Sequence, residues 1–430
     1  MLFRSNDNTA LSLTGANSAT GNLVLSSGNG ITQTGGSSIS VTGSSTLSSS
    51  GKAITLNQAG NAFTGPVGFT GANVALRSSG ALALAASTAT GTLDATANGL
   101  ISQTGALSVT GATTLAAGAA NNINLTNAAN SFSAVGVTSG NNVAITDTGA
   151  LALNASTVSG TLDVVTSGAI TDSGALSVTG AATFAAGAAN DITLDNANDF
   201  SSVGITSGNN VVLNDTNALA LNASTVSGTL DVTTAGAITD NGVLNVTGAA
   251  TFAAGASNNI TLDNANNFSS VGIASGKNVV LNDTSALVLN ASTVSGTLNV
   301  TTAGAITQNG TLSVANGAST LAAGAANNIT LGDNTNNFAS VGITSGNNVV
   351  LNDTNDLALN ASTVSGTLSV TANGAISDNG ALAVTGASTF AATTGITLDN
   401  ANNFSSVNAD RKSTRLNSSH EWISRMPSSA

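Results

Sequence analysis

Residues 229–296 read TLDVTTAGAITDNGVLNVTGAATFAAGASNNITLDNANNFSSVGIASGKNVVLNDTSALVLNASTVSG, and the way this stretch alternates decides the fold. In Thr229-Leu230-Asp231-Val232 the apolar residues fall on every second position. Val243-Leu244-Asn245-Val246 and Ile260-Thr261-Leu262-Asp263 behave alike. A period of two places Leu and Val on one side of an extended chain and Thr and Asp on the other. Thr, Val and Ile favour that conformation. Asn241-Gly242, and Ser-Gly, Ala-Gly and Asn-Asp-Thr elsewhere, close the runs as turns. AATFAAGA suits a helix by propensity, but a Gly interrupts it and strand patterns flank it.

The same stretch recurs. ASTVSGTL places its Gly at Gly160, Gly228, Gly296 and Gly366, with degenerate copies at Gly21 and Gly91. A second series agrees: Phe63, Phe132, Phe200, Phe268, Phe338 and Phe404 each end a segment like LDNANNF. Within a copy a Leu opens each smaller unit, at Leu230, Leu244, Leu262 and Leu281, before Leu298 opens the next copy. Short strands turning at such steps suit the coils of a β-solenoid, each coil stacked on the last with its apolar residues in the bore. The predicted fold is therefore all-β: an elongated β-solenoid of six repeats of about 68–70 residues. Either four coils or three longer ones fit one copy. Small Ala and Gly residues are expected where corners approach, and Asn residues at equivalent turns to stack. The copies fall roughly at 11–80, 81–149, 150–217, 218–285, 286–355 and 356–407, after a partial edge at 1–10. No capping unit is visible at either end, which reads as a piece of something longer.

Composition narrows the function. Residues 1–409 hold no His, Trp, Glu, Cys or Tyr, and their only cations are Arg4, Lys52, Arg77 and Lys277. The whole chain carries a net charge of −12. So few cations argue against nucleic acid, whose phosphates need neutralising. No apolar run approaches the ~18 residues of a membrane helix, and MLFRSNDNTALSL shows no signal-peptide pattern. Without His, nucleophilic and acid–base catalysis lack their usual actors. Gly276-Lys277 and Gly51-Lys52 do not have the spacing of phosphate loops.

Asp remains. Asp195, Asp263 and Asp399 recur in TLDNAN, and Asp215, Asp283 and Asp353 in LNDT. Calcium is the chemistry such residues suggest, but the calcium-binding repeat pattern is absent and the copies sit four coils apart in the four-coil reading, so turn-forming Asp is expected. Asn154, Asn222, Asn290 and Asn360 match the glycosylation pattern, a weak signal in a chain rich in Asn and Ser. Rows of Thr suggest an ice-binding face, but no Thr-x-Thr ladder recurs at every coil. No catalytic, cofactor-binding or metal-ligating residue is expected in 1–409, and no cofactor.

Units such as GALSVTGAATFAAGAANDITLDNANDFSSVGITSGNNVVLNDTNALALNASTVSGTL (residues 174–230) resemble the repeat shafts of filamentous-haemagglutinin-like large exoproteins, giant secreted proteins of Gram-negative bacteria. Autotransporter passengers use similar repeats. The resemblance implies a right-handed parallel β-helix that holds an adhesive or toxic tip away from the cell. It implies a secreted or outer-membrane-associated location and export through an outer-membrane transporter. Partners would be host-cell or surface glycans or proteins, met through regions outside this chain. The family's secretion domain is missing here, and its shaft has no catalytic residues to carry over. Absence of Cys suits a chain that threads a pore unfolded, and equally suits a composition in which Cys is rare.

Residues 408–430 read differently. They hold the only His (His420), Glu (Glu421) and Trp (Trp422). DRKSTRLNSSH, from Asp410 to His420, and SRMPSSA, from Ser424 to Ala430, resemble the translation of a short-read sequencing adapter. The tail is therefore excluded from the fold as non-native. The resulting expectation is a non-catalytic shaft fragment of a surface exoprotein used in adhesion or biofilm contact. A β-helix carbohydrate-active enzyme, or the stalk of a contact-delivered toxin, is the alternative.

Overall fold

Wherever the sequence alternates, the chain is extended. The computed structural model describes residues 2–5, 9–410 and 414–418, the first and last of these segments by backbone alone. Among the described residues every regular element is a strand, and no helix is long and apolar enough to cross a membrane. The stretch AATFA, helical by propensity, lies in the strands Leu176–Ala185 and Leu244–Ala253. Tertiary pairing overrides propensity there. Val211–Asp215 shows the rule at its plainest: its first, third and fifth residues are buried and those between face outward.

The chain divides into two compact units, 1–219 with 225–227, and 220–224 with 228–430. Each is a parallel β-solenoid. In the first, one ladder of hydrogen-bonded strands runs through Leu82, Ile101, Ile123, Val143, Leu162, Ala182 and Val203. A second runs through Ile54, Val74, Leu93, Thr113, Val135 and Leu153, then through Ile170–Asp172 to the strand opening at Ile192. Each turn crosses both ladders. Between paired residues of the repeats, turns take from 17 residues (Val67 to Leu84) to 24 (Val314 to Phe338).

Equivalent residues of successive copies can now be located. Ile54 and Ile192, two copies apart, stand on the same ladder seven turns apart. Ile123, their equivalent in the copy between, stands on the other ladder. One copy therefore makes three and a half turns, between the four and the three that sequence allowed. The second unit repeats this arrangement. Ile260 and Ile396 are joined by seven steps through Val279, Leu298, Ser319, Val341, Leu359 and Ile376–Asp378, and Ile329 lies on the ladder of Ile306 and Val349.

Leu, Val and Ile fill the bore, with Phe184, Phe200, Phe252, Phe268, Phe338 and Phe390 among its largest fully buried side chains. Phe184 meets Phe200 edge to face at 6.1 Å, and Phe252 meets Phe268 likewise, a geometry that suits the aromatic quadrupoles. At one corner successive Gly residues touch. The amide of Gly180 donates to the carbonyl of Gly160 at 2.8 Å. A Cβ at Gly180 would lie 2.5 Å from that carbonyl oxygen, so only glycine fits. The chain bulges there, between Val178 and Ala181. Asn ladders form as expected but are short. Asn142 accepts the amide of Thr161 at 3.0 Å and presents its own amide to Asn122 at 3.1 Å.

Residues 408–410 continue the strand Ile396–Asp410, and the backbone of Thr414–Ser418 pairs in parallel with it. His420, Glu421 and Trp422 lie outside the described residues.

Candidate functional site

The densest polar cluster of each copy surrounds one buried asparagine. Asn198 is completely buried. It sits where the strand Ile192–Ser207 rounds a corner, two residues before Phe200, whose ring anchors that corner in the bore. Its side-chain oxygen accepts the Leu176 amide of the turn before at 2.8 Å. Its nitrogen donates to Asp172 Oδ2 at 2.8 Å and to the Leu194 carbonyl at 3.3 Å. Its own carbonyl accepts the amide and the hydroxyl of Thr216, one turn on, both at 2.8 Å. One residue thus ties three consecutive turns, and its buried polar atoms are satisfied, as burial requires.

Asp215 completes the bracket. It is buried, its Oδ2 accepts the Phe200 amide at 2.7 Å, and its Oδ1 accepts the Asn217 amide at 2.9 Å. Burial pushes its carboxyl above the ordinary 3.8; the two amides pull the other way, and the nearby Asp199 charge adds to the rise. Asp353 is held and shifted alike, with the amides of Phe338 and Asn355 as donors. Asp147 and Asp283 accept the amides of Phe132 and Phe268, both at 2.6 Å. The LNDT aspartates are therefore corner acceptors, aimed into backbone. They are also not four coils apart in a column: copies recur every three and a half turns, on alternating ladders.

Asp195, Asp263 and Asp399 are exposed. Their amides donate to Asp172, Asp240 and Asp378 at 3.1, 3.1 and 3.0 Å. Nothing brings the two Asp series into one cleft, and among the described residues no three His, Cys, Asp or Glu side chains group as metal ligands would. In the glycosylation pattern at Asn154 the following Ser156 is buried. Its hydroxyl donates to the Asn154 carbonyl at 2.8 Å and accepts the Val137 amide at 2.9 Å. Ser292 and Ser362 repeat both bonds in the patterns at Asn290 and Asn360. Ser224, in the pattern at Asn222, is likewise buried and bonds the Asn222 carbonyl. These motifs are corner locks. Lys52 and Lys277 are exposed. Thr171 lies beside Thr193, but Val212 follows on the next turn, which ends that Thr row.

The sequence reading missed the buried asparagine. The signal was present: Asn61, Asn130, Asn198, Asn266, Asn336 and Asn402 precede the six corner Phe residues by two in every copy, while the residue between varies. Its partner is Gln33, Gln103 or Gln308 in three copies and Asp172, Asp240 or Asp378 in the others.

A family described as repeats of unknown function (DUF5649) matches the chain six times, over residues 3–70, 71–139, 140–207, 208–275, 276–345 and 346–409. The chain belongs to this family. Each match spans one buried asparagine and its Phe, so the bracket is a property of the family repeat as this chain carries it. No curated protein and no solved structure matches the chain.

Proposed function

We propose that the chain is a non-catalytic structural shaft of a secreted, surface-associated bacterial exoprotein, which serves adhesion or biofilm contact by spacing. The observation that carries this reading is the use of the recurring polar chemistry within the chain itself. The Asn198 amide, the Asp215 carboxylate and the Ser156 hydroxyl are all buried and bonded to backbone. Groups so engaged position turns and do not face solvent. A repeated surface suits a spacer, since catalysis needs one preorganised constellation. The exported location rests on the resemblance to haemagglutinin-like shafts.

Two measurements test this. Intact cells of the source organism are stained with an antibody against residues 140–207 and then shaved with protease. Surface labelling lost on shaving is expected, and labelling seen only after lysis overturns export. The purified chain is incubated with a panel of polysaccharides and assayed for new reducing ends or unsaturated products. No release is expected, and any release abolished by an exposed-Asp substitution overturns the non-catalytic reading.

A further inference from the structure

A half-integral number of turns per copy has a consequence for presentation. In the first unit, Gly140 packs against Ile123 and Val143, and Gly71 packs in the same way against Ile54 and Val74. The two junctions between copies are thus built alike. Val74 pairs with Ile54 and Val143 with Ile123, yet these pairs stand on opposite ladders. A copy therefore accepts either side of the solenoid as its starting point, provided the preceding copy ends in the same pattern.

We infer that copy number sets the side on which downstream residues are presented. Removing or adding one whole copy carries everything after it in the same solenoid half a turn about the axis, and a second such change restores the original side. Strand pairing survives, because Val143 meets Ile54 as Val74 did. The outward residues change face: Thr193, which shares a ladder with Thr55 in the present chain, moves to the ladder opposite. A group carried beyond the repeats would face one way for even copy numbers and the other way for odd ones. This inference rests on the ladders alone and stands whether or not the chain is a shaft.

The test uses the full chain, which has no Cys, so introduced pairs report alone. Spin labels are placed at Thr55→Cys with Asn124→Cys, and at Thr55→Cys with Thr193→Cys. In the parent the second pair lies on one ladder seven turns apart, about 34 Å at ~4.8 Å per turn. In a chain lacking 71–139, the Thr55–Thr193 distance is expected to equal the parental Thr55–Asn124 distance, which crosses the coil. A Thr55→Cys, Ala144→Cys pair should also form a disulfide in the deletion chain, while in the parent Ala144 lies beside Asn124. A same-ladder distance of roughly 14–19 Å, for three or four turns, overturns the inference. So does absence of the disulfide in a chain with the parental strand signal. If the deletion chain does not fold, duplicating 71–139 after residue 139 gives the second variant. The Asn124–Thr193 distance, measured from the first of the duplicated copies, should then become the parental Thr55–Thr193 value, and any retention of its original value overturns the inference.

Discussion

Two corners do the same work with different chemistry. In residues 3–70, Asn61 pairs with Gln33 through two reciprocal amide bonds, both 2.8 Å, and the Phe63 amide reaches Ser78 at a long 3.5 Å. In residues 140–207, Asn198 faces the carboxylate of Asp172, and the Phe200 amide reaches Asp215 at 2.7 Å. The neutral corner exchanges donors and acceptors evenly. The acidic corner offers acceptors only, and recruits the amides of Asp195 and Asn196 to Asp172 as further donors. The constant element is the buried asparagine. What surrounds it varies, provided the backbone donors of the turn find acceptors.

The sharpest way to break this comparison is to remove the constant element. Asn266→Ala strands the Leu244 amide, which Asn266 accepts at 2.8 Å, and takes one donor, at 2.7 Å, from the Asp240 carboxylate, which keeps the amides of Asp263 and Asn264. At ~1–3 kcal/mol for the orphaned buried amide and less for the carboxylate's lost donor, the local cost is about 2–4 kcal/mol. Hydrogen exchange at Leu244 should accelerate roughly 30- to 1,000-fold, at about 1.4 kcal/mol per factor of ten. Exchange left within about threefold of the parent would mean that water replaces the side chain.

Close packing at the glycine corner comes next. Gly180→Ala drives a Cβ against the Gly160 carbonyl, whereas Gly28 has open space around it. The first should lower stability by ~1–3 kcal/mol, as overpacking does, and Gly28→Ala by much less. Equal shifts in urea midpoints would rule out the Gly160 contact as the cause, since the loss of glycine's chain entropy alone stabilises.

Converting an acidic corner to the first copy's form tests charge. Asp353→Ser copies Ser78 and should cost about 1–2 kcal/mol at pH 7, less than the loss of two charge-assisted bonds because a desolvated charge is removed too. Burial raises the folded-state pKa of Asp353 above 3.8, so the folded chain holds this proton more tightly than the unfolded chain. The associated stability is present in full below 3.8 and is lost as pH rises through the raised folded value. The variant should flatten that part of the pH–stability curve, as read from denaturation midpoints at a series of pH values; an unchanged slope would place the titration elsewhere.

The smallest effect is a gain. Ser319 and Ser388 are buried with hydroxyls that find no partner, and Ala182 and Ala250 occupy the equivalent positions. Ser319→Ala should stabilise the second unit by ~0.5–1 kcal/mol, seen as a higher urea midpoint. A lower midpoint would indicate a hydroxyl that is bonded in solution.

The sequence by itself determined the strands, the period, the six copies and the apolar bore. Alternation at Val211–Asp215 and its equivalents leaves one way to bury Leu and Val, and repetition of ASTVSGTL fixes the unit length. It also marked the LNDT aspartates as turn residues. Only the tertiary structure decided how many turns one copy makes. Period two is silent on which strand a given strand meets, since either ladder buries the same residues. The count depends on how much chain the corners and bulges consume, from 17 to 24 residues per turn. The roles of Asn198 and Ser156 were hidden for a related reason. In a chain crowded with Asn and Ser, composition gives no hint of which side chains turn inward, and that is settled by the turns stacked above and below them.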